Sequence, residues 1–154
     1  MRGTEHSPQH KLLERLAPLI RELERNPDVE GVALVSRTGL KIWGYTSTSM
    51  NEEIFSAATA AIIGIGERTT KDLGYGDLNN ITVVGEKGFV VMTQIGREYM
   101  IAIASVNKTK IGYYMLMLQR YSKMLSKALE EEVAKEELSE EEKALLEAID
   151  ALEE

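Results

Sequence analysis

The chain has 154 residues, enough for one domain of ordinary size and too few for a two-domain enzyme. Hydrophobic residues make up 44% and charged residues 28%, as in a globular protein, and no apolar run approaches the roughly 20 residues of a bilayer span. The chain has no cysteine, which excludes disulfides and thiolate nucleophiles, and its polar N-terminus has no secretory signal. We therefore expect a cytoplasmic protein without membrane insertion.

The net charge of −7 is concentrated near the C-terminus. Residues 130–154 contain twelve acidic residues and two lysines, a net charge of −10, so residues 1–129 carry +3. A nearly neutral body without clustered lysine and arginine, followed by an acidic segment, argues against nucleic-acid binding.

The first third of the chain predicts a tail, a helix and a hairpin. Residues 1–10 are polar and predict a disordered tail. From Lys11, apolar residues recur every three or four positions, which predicts a helix that Pro18 kinks and the sequence NPD at 26–28 ends. Residues 31–36 and 40–45 then predict two strands, joined by a turn in which Gly39 adopts positive φ.

The rest of the chain predicts a second helix, three strands and a helical end. The helix spans about 51–73, with Ser49 or Asn51 as N-cap, and strands follow at 81–84, 89–96 and 99–104. The next helix has a stripe formed by Ile111, Met115, Leu118, Ser122, Leu125 and Leu129. After a break near 135–139, Ser139 and Glu142 have capping-box spacing and predict a final helix with an apolar face of Leu145, Leu146, Ile149 and Leu152.

The element order is therefore α-β-β-α-β-β-β-α plus a C-terminal helix. Short connections between the strands predict an antiparallel sheet, and the alternation of helices and strands predicts helices on both of its faces. Strands 31–36 and 99–104 are apolar throughout, so we expect them to be central neighbours. The predicted fold is an α+β sandwich with a five-stranded antiparallel sheet in the order 2-1-5-4-3.

Catalytic chemistry has little support in this sequence. The only histidines, His6 and His10, fall in the expected tail, where they are more simply solvated side chains than loose metal ligands. A serine without a folded histidine base has no evident route to activation, and the carboxylates show no specific pairing. We expect no catalytic residue, no metal site and no cofactor, and hence no enzyme.

The segment AATAAIIGIGERTT at 57–70 resembles a phosphate-binding loop only superficially. A Walker loop requires Gly-Lys, which is absent, and a dinucleotide fingerprint requires a third glycine where Thr69 stands. Both motifs also lie between a strand and the first turn of a helix. Gly64 and Gly66 instead fall more than three turns into a helical pattern, which argues against nucleotide binding here.

The same segment is better explained by packing. At 3.6 residues per turn, one helix face carries Ala57, Ala61, Gly64 and Arg68, and another carries Ile54, Ala58, Ile62 and Ile65. Covering the sheet uses one stripe, so the small-residue stripe needs a partner of its own. Glycine inside a helix costs roughly 1 kcal/mol relative to alanine, which a close helix contact would offset. The alternative is a helix buried within a monomer.

Four segments in this order resemble the roadblock/dynein light chain domain family, most closely its short bacterial and archaeal members of the MglB type. They are GVALVSRTGLKI at 31–42, AATAAIIGIGERT at 57–69, ITVVGEKGFVVMTQIG at 81–96 and YMIAIASVNKTKIG at 99–112. The resemblance covers residues 11–126 and implies a roadblock/profilin-like sandwich, which leaves 127–154 as an acidic helical C-terminal extension.

The resemblance also implies a homodimer. The central helix would pack against its twin through Ala57, Ala61, Gly64 and Arg68, and the following edge strand would pair across the two-fold axis at Ile81, Thr82 and Val83. Such proteins are mostly regulators or scaffolds of Ras-like small GTPases, with a GTPase-activating or docking role. Arg68 and Arg97 are conceivable arginine fingers, but a solvated or interface arginine is the simpler interpretation, and the resemblance supplies no finger.

Three hypotheses follow from the sequence. The first is a non-enzymatic homodimeric regulator or scaffold of a Ras-like small GTPase. The second is a dimeric structural or adaptor protein for another partner, with the acidic helix and its residues Leu145, Leu146, Ile149 and Leu152 as a partner-binding element. The third is ligand sensing or catalysis.

Overall fold

The structure, a computed structural model, describes residues 8–46 and 50–153, with side chains for 10–46, 50–130, 140–142 and 144–152. Within these residues the elements are α1 (Pro8–Glu24), β1 (Val29–Ser36), β2 (Lys41–Thr46), α2 (Glu52–Asp72), β3 (Ile81–Val84), β4 (Phe89–Ile95), β5 (Tyr99–Ser105) and α3 (Ile111–Glu153). A short 3₁₀ turn at Lys108–Lys110 leads into α3. This order is the predicted one, except at the C-terminal helix.

The five strands form one antiparallel sheet in the order β2-β1-β5-β4-β3, as the sequence predicts. At its centre β1 pairs with β5, with Ala33 opposite Ala102 and Leu34 opposite Ile101. Both strands are buried over most of their length, because helices cover both faces of the sheet. The edges are β2 and β3.

Helices α1 and α3 cover one face of the sheet, and α2 covers the other. Strand alternation sends Val32 and Leu34 towards α1 and α3, and it sends Ala33 and Val35 towards α2. The hydrophobic core between the sheet and helices α1 and α3 includes Leu12, Leu16, Leu19, Leu23, Tyr114, Leu118 and Leu125. The predicted α+β sandwich with helices on both faces is therefore confirmed.

Two local predictions at turns and caps are confirmed. Gly39 has φ of +89°, and its N–H donates to the carbonyl of Ser36 at 2.9 Å, which closes the β1–β2 turn. Asn51 is the N-cap of α2: its Oδ1 accepts from the N–H groups of Glu53 at 3.0 Å and Ile54 at 3.1 Å. Ser49, the other candidate cap, lies outside the described residues.

The first helix begins earlier than the sequence predicts. α1 starts at Pro8, within the expected tail, because proline is tolerated in the first turn of a helix, where its missing N–H costs no hydrogen bond. Residues 1–7, including His6, lie outside the described residues. α1 continues through Pro18 to Glu24, and the expected kink at Pro18 stays a prediction.

The break expected near 135–139 is wrong. α3 is one helix of 43 residues, so Ser139 and Glu142 do not form a capping box at a helix start. The segment between the two expected helices contains neither glycine nor proline and is rich in Ala, Glu, Lys and Leu, which are strong helix formers. One serine inside such a run costs only a few tenths of a kcal/mol. None of the described helices is both long and apolar enough for a bilayer crossing.

Candidate interaction surface

The side of α2 that points away from the sheet is exposed and largely apolar or small. Its N-terminus is fixed by the Asn51 cap, and Ser56, Thr59 and Ile63 are buried against the sheet. The opposite side carries Ile54, Ala57, Ala58, Ala61, Gly64, Ile65 and Arg68, all of them at least partly exposed. We call these seven residues the α2 outer face. Exposed alanines and Gly64 lie between Ile54 and Ile65 along this side, and a contiguous exposed apolar patch marks an interaction site.

The orientation of α2 differs in part from the sequence-based expectation. The stripe of Ile54, Ala58, Ile62 and Ile65 was the natural choice for covering the sheet, but only Ile62 is partly buried against it. Ile54 and Ile65 are each 68% exposed. The exposed surface is therefore wider than the small-residue stripe alone, and it includes both of these isoleucines.

The two glycines of α2 have different surroundings. A β-carbon at Gly66 would overlap the Cδ1 atom of Ile81 and lie 3.3 Å from Leu78 Cδ2. Gly66 therefore allows α2 to pack closely on the start of β3. A β-carbon at Gly64 would meet nothing within 4 Å, so nothing among the described residues explains a glycine at this position.

Strand β3 adds an open sheet edge beside α2. Its four residues pair with β4 from Ile81 opposite Met92 to Val84 opposite Phe89. Val83 is 44% exposed and Val84 is 55% exposed. The hydroxyl of Thr82 is buried without a hydrogen-bond partner among the described residues. An edge strand presents unpaired backbone N–H and C=O groups, which can pair with another strand.

The register shows which backbone groups this edge offers. The N–H of Gly85 donates to the carbonyl of Gly88 at 2.8 Å, so these residues form a hydrogen-bonded pair at the β3–β4 turn. Such pairs alternate along an antiparallel ladder, so Val83 and Ile81 also bond to β4. The N–H of Thr82 therefore points outwards, towards an incoming strand.

A polar network connects α2 to two turns of the sheet. Arg37, after β1, donates to Glu67 Oε2 at 3.1 Å and to the carbonyl of Arg97 at 3.0 Å. Gln94 on β4 donates to the other oxygen of Glu67. Arg68 lies next to this network, at a surface depression that Gly64 also lines. The network fixes the position of the C-terminal half of α2, and Arg68 remains exposed beside it.

The carboxylates with shifted pKa values belong to ion pairs. A hydrogen bond from Lys110, whose Nζ lies 2.9 Å from Asp28 Oδ2, lowers the pKa of the Asp28 carboxyl. A hydrogen bond from Lys41, at 2.5 Å, lowers the pKa of Glu52. A general acid instead requires a raised carboxyl pKa. Within the described residues, no group of three or more His, Asp or Glu is placed to hold a metal ion.

The structure also locates the remaining candidates. His10 lies inside α1, not in a tail, and its Nε2 is 3.0 Å from Glu14 Oε1. Arg97 is exposed in the β4–β5 turn, away from α2 in sequence but linked to it through Arg37. The four apolar residues of the expected final helix, Leu145, Leu146, Ile149 and Leu152, are exposed near the end of α3.

The predicted interface residues thus divide into two adjoining sets. Ala57, Ala61, Gly64 and Arg68 share the outer side of α2, and Ile81, Thr82 and Val83 lie on the neighbouring edge strand. The contact of Gly66 with Ile81 brings the two sets together. Sequence reasoning missed Ile54 and Ile65 as exposed members, because their helical spacing is equally compatible with packing on the sheet.

This sheet, covered by helices on both faces, carries an exposed apolar helix face beside an open edge strand. Both features are typical of protein-interaction sites. Residues 16–105 match the Roadblock/LC7 domain, more than half of the chain, and the protein belongs to this family. Roadblock/LC7 domains are regulatory and adaptor domains rather than typical enzymes.

Structures of related proteins agree with the fold. Myxococcus xanthus MglB superimposes with a TM-score of 0.65 at 20% identity, covering 82% of this chain and 92% of that protein. The gliding protein MglB of Thermus thermophilus gives 0.63 at 17% identity, covering 78% and 92%. The uncharacterized protein MJ0310 of Methanocaldococcus jannaschii is 26% identical over 99 residues, 64% of this chain and 86% of that protein. These likenesses to solved structures show a shared fold.

Proposed function

We propose that this protein is a homodimeric regulator or scaffold of a Ras-like small GTPase and does not itself catalyse a reaction. The observation that carries the proposal is the α2 outer face beside the open edge of β3, with Gly64 exposed and open space where its β-carbon would lie. In the proposed dimer, α2 packs on its twin along the small residues, and β3 pairs with its twin across the two-fold axis.

The chemistry of these surfaces favours association. Fully burying a side chain such as Ile54 or Ile65 contributes roughly 1.5–3 kcal/mol, and a two-fold axis doubles each contribution. Gly64 and the neighbouring alanines allow the two helix backbones to approach closely. The outward N–H of Thr82 would gain a partner, and pairing would remove the edge of β3.

A regulator of this kind requires no catalytic side chain of its own. A small GTPase has the lysine, Mg²⁺ and water-positioning groups that hydrolysis needs, and its switch segments are ordered in the GTP state. A dimeric platform stimulates hydrolysis if it stabilises that ordered state. We assign Arg68 to the surface of the platform, since it is exposed at the rim of the α2 outer face.

The proposal is tested by binding and GTP hydrolysis with small GTPases from the same source. We expect at least one GTPase to bind in its GTP-loaded form and to bind more weakly when loaded with GDP. The proposal would be contradicted if no GTPase of the panel bound in either nucleotide state. Single-turnover hydrolysis, measured at saturating protein, separates stimulation of GTP hydrolysis from docking alone.

Arg68 distinguishes a platform from an arginine finger. Loss of a finger lowers the hydrolysis rate roughly 10³–10⁵-fold even when binding is saturated. We expect Arg68→Ala to weaken GTPase binding while the saturated rate stays within about tenfold of that with the unmodified protein, a loss far below that of a finger. Arg97→Ala is measured in the same way, because Arg97 is the other conceivable finger. Arg25→Ala, an exposed substitution beside α1 on the other face of the sheet, is the matched control.

The alternative function is that of an adaptor for another protein. It is favoured by the exposed apolar residues Leu145, Ile149 and Leu152 on an acidic helix, which suit a partner with an apolar and basic groove. Co-purification from the native source identifies either kind of partner. Recovery of a partner that requires Leu145 and Ile149 but not the α2 outer face would favour the adaptor.

A further inference from the structure

Helix α3 is divided into a basic half and an acidic half. Residues 111–129 contain Arg120, Lys123 and Lys127 and no acidic residue. Residues 130–154 carry the net charge of −10. Since α3 is one uninterrupted helix, these opposite charges lie at opposite ends of one rod.

The outer side of the basic half combines cations with apolar side chains. Leu116 is 58% exposed and Met124 is 57% exposed, and Arg120, Lys123 and Lys127 are at least partly exposed as well. At 3.6 residues per turn these five residues occupy about 100° of the helix circumference. They lie on the side away from the buried core residues of α3, and the part of the chain that the structure describes leaves this stripe uncovered.

The acidic half continues the same stripe. Counted along the helix at 3.6 residues per turn, Glu142, Leu145, Ile149 and Leu152 fall on the side that carries Leu116 and Arg120. All four are exposed, and Glu141 flanks them. One side of α3 therefore presents a basic apolar surface near the domain and an acidic apolar surface near its end.

The two surfaces cannot meet within one chain. Leu116 and Leu152 are separated by about 54 Å along a continuous helix at 1.5 Å per residue. A parallel pair of α3 helices would place acidic half against acidic half, which is repulsive. An antiparallel pair centred near residue 134 instead places residues 139–152 of each copy on the basic residues 116–129 of the other, and a two-fold axis satisfies both contacts at once. Only the segments 130–138 of the two copies then lie beside each other.

We propose that α3 is a second self-association surface, in which two copies pair antiparallel around an axis near residue 134. In this register Leu116 lies opposite Leu152 of the second copy, and Lys127 lies opposite its Glu141. The aliphatic stem of Lys123 covers Leu145 of the second copy, with its ammonium group towards the adjacent acidic residues.

This contact is independent of the proposed α2 dimer. α2 covers one face of the sheet and α3 covers the other, so one protomer can use both surfaces simultaneously. Repeated use of two different two-fold contacts links dimers into larger assemblies. The α3 contact can therefore be tested in a Gly64→Leu background, in which the proposed α2 contact is blocked.

Disulfide cross-linking tests the register directly, because the chain has no cysteine of its own. A Leu116→Cys protein is mixed with a Leu152→Cys protein and oxidised, and the linked peptides are quantified by mass spectrometry. Every 116–152 link is then between two copies. The control mixes Leu116→Cys with Leu40→Cys, whose side chain is also well exposed. We expect at least tenfold more 116–152 than 116–40 product, and equal yields would overturn the proposal.

Charge exchange tests the electrostatic argument. In the Gly64→Leu background, Lys123→Glu with Lys127→Glu should raise the dissociation constant of self-association at least tenfold. Adding Glu141→Lys and Glu142→Lys to the same chain should restore it, because opposite charges face each other again. The proposal is contradicted if Lys123→Glu with Lys127→Glu leaves the dissociation constant unchanged. It is also contradicted if adding Glu141→Lys and Glu142→Lys does not lower the dissociation constant again. Sedimentation equilibrium measures each constant, and circular dichroism verifies that each variant is folded.

Discussion

Gly66 and Ile81 are in such close contact that a β-carbon on the glycine would overlap the end of the isoleucine side chain. This contact joins the middle of α2 to the first residue of β3, and it brings the helix and the open edge strand together. Two residues earlier, Gly64 has open space where its β-carbon would lie. One glycine therefore serves the fold of the protomer, and the other is available to a second molecule.

Alanine substitutions separate these two roles. Both glycines lie inside a helix, so each alanine gains about 0.5–1 kcal/mol of helix stability. At position 64 nothing opposes this gain in the monomer. At position 66 the end of the Ile81 side chain must move aside, which offsets part of this gain. We expect Gly66→Ala to be less stable than Gly64→Ala in urea unfolding at a dilution that keeps the protein monomeric. Equal free energies of unfolding would show that the contact with Ile81 is unimportant.

Ile63 and Ile65 provide a matched pair on opposite sides of α2. Ile63 is fully buried and Ile65 is 68% exposed. Ile63→Ala leaves a cavity under the helix and should lower the free energy of unfolding by about 2–5 kcal/mol. Ile65→Ala should change that of the monomer by no more than about 0.5 kcal/mol. The effect on self-association should be the reverse. Ile65→Ala should weaken self-association of the folded protein more than Ile63→Ala does, as measured by sedimentation.

Asp28 makes the stability of the fold sensitive to acid. Its hydrogen bond with Lys110 lowers its folded-state pKa below the ordinary value of 3.8. The stabilisation is therefore fully present above pH 3.8 and is lost as the pH falls through the folded-state pKa. We expect the urea midpoint to fall between about pH 5 and about pH 2.5, and to fall less in Asp28→Asn. Asp77→Asn, in an exposed loop, is the control and should leave the fall unchanged.

Proline substitutions test the outward edge of β3. Thr82→Pro removes an N–H that points away from β4, so the fold should be retained while pairing with a second strand is blocked. Val83→Pro removes an N–H that bonds to β4 and should destabilise the domain itself. The comparison requires thermal unfolding and sedimentation of both variants. A Thr82→Pro protein that self-associates like the unmodified protein would show that β3 does not pair across a dimer axis.

Strand positions were predictable because burial on both faces produces continuous apolar runs, as at 31–36 and 99–104. The orientation of α2 was not, because small and apolar residues surround more than half of it. Its sheet side includes Thr59, whose hydroxyl donates to the carbonyl of Phe55 at 2.8 Å, so a polar residue is buried without an unpaired group. Residue spacing does not reveal that local bond. Nor does it distinguish Gly64 from Gly66, whose difference depends on Ile81.

The C-terminal helix illustrates a different limit. Ser139 and Glu142 have the spacing of a capping box, but a cap forms only where non-helical residues precede it. Here the preceding residues are themselves strong helix formers, and α3 continues through them. The spacing of Ser139 and Glu142 alone does not show whether the residues before Ser139 are helical.

The central claim is that the α2 outer face joins two protomers, and sedimentation equilibrium of Gly64→Leu tests it most directly. The leucine fits the free protomer but blocks close approach of a second helix. In a chain that also carries Lys123→Glu and Lys127→Glu, which remove the proposed α3 contact, Gly64→Leu should therefore lower the mass from that of a dimer to that of a monomer. Arg25→Leu, an exposed substitution beside α1 on the other face of the sheet, should leave the mass unchanged. A folded Gly64→Leu protein with the mass and dissociation constant of the unmodified protein would contradict the claim.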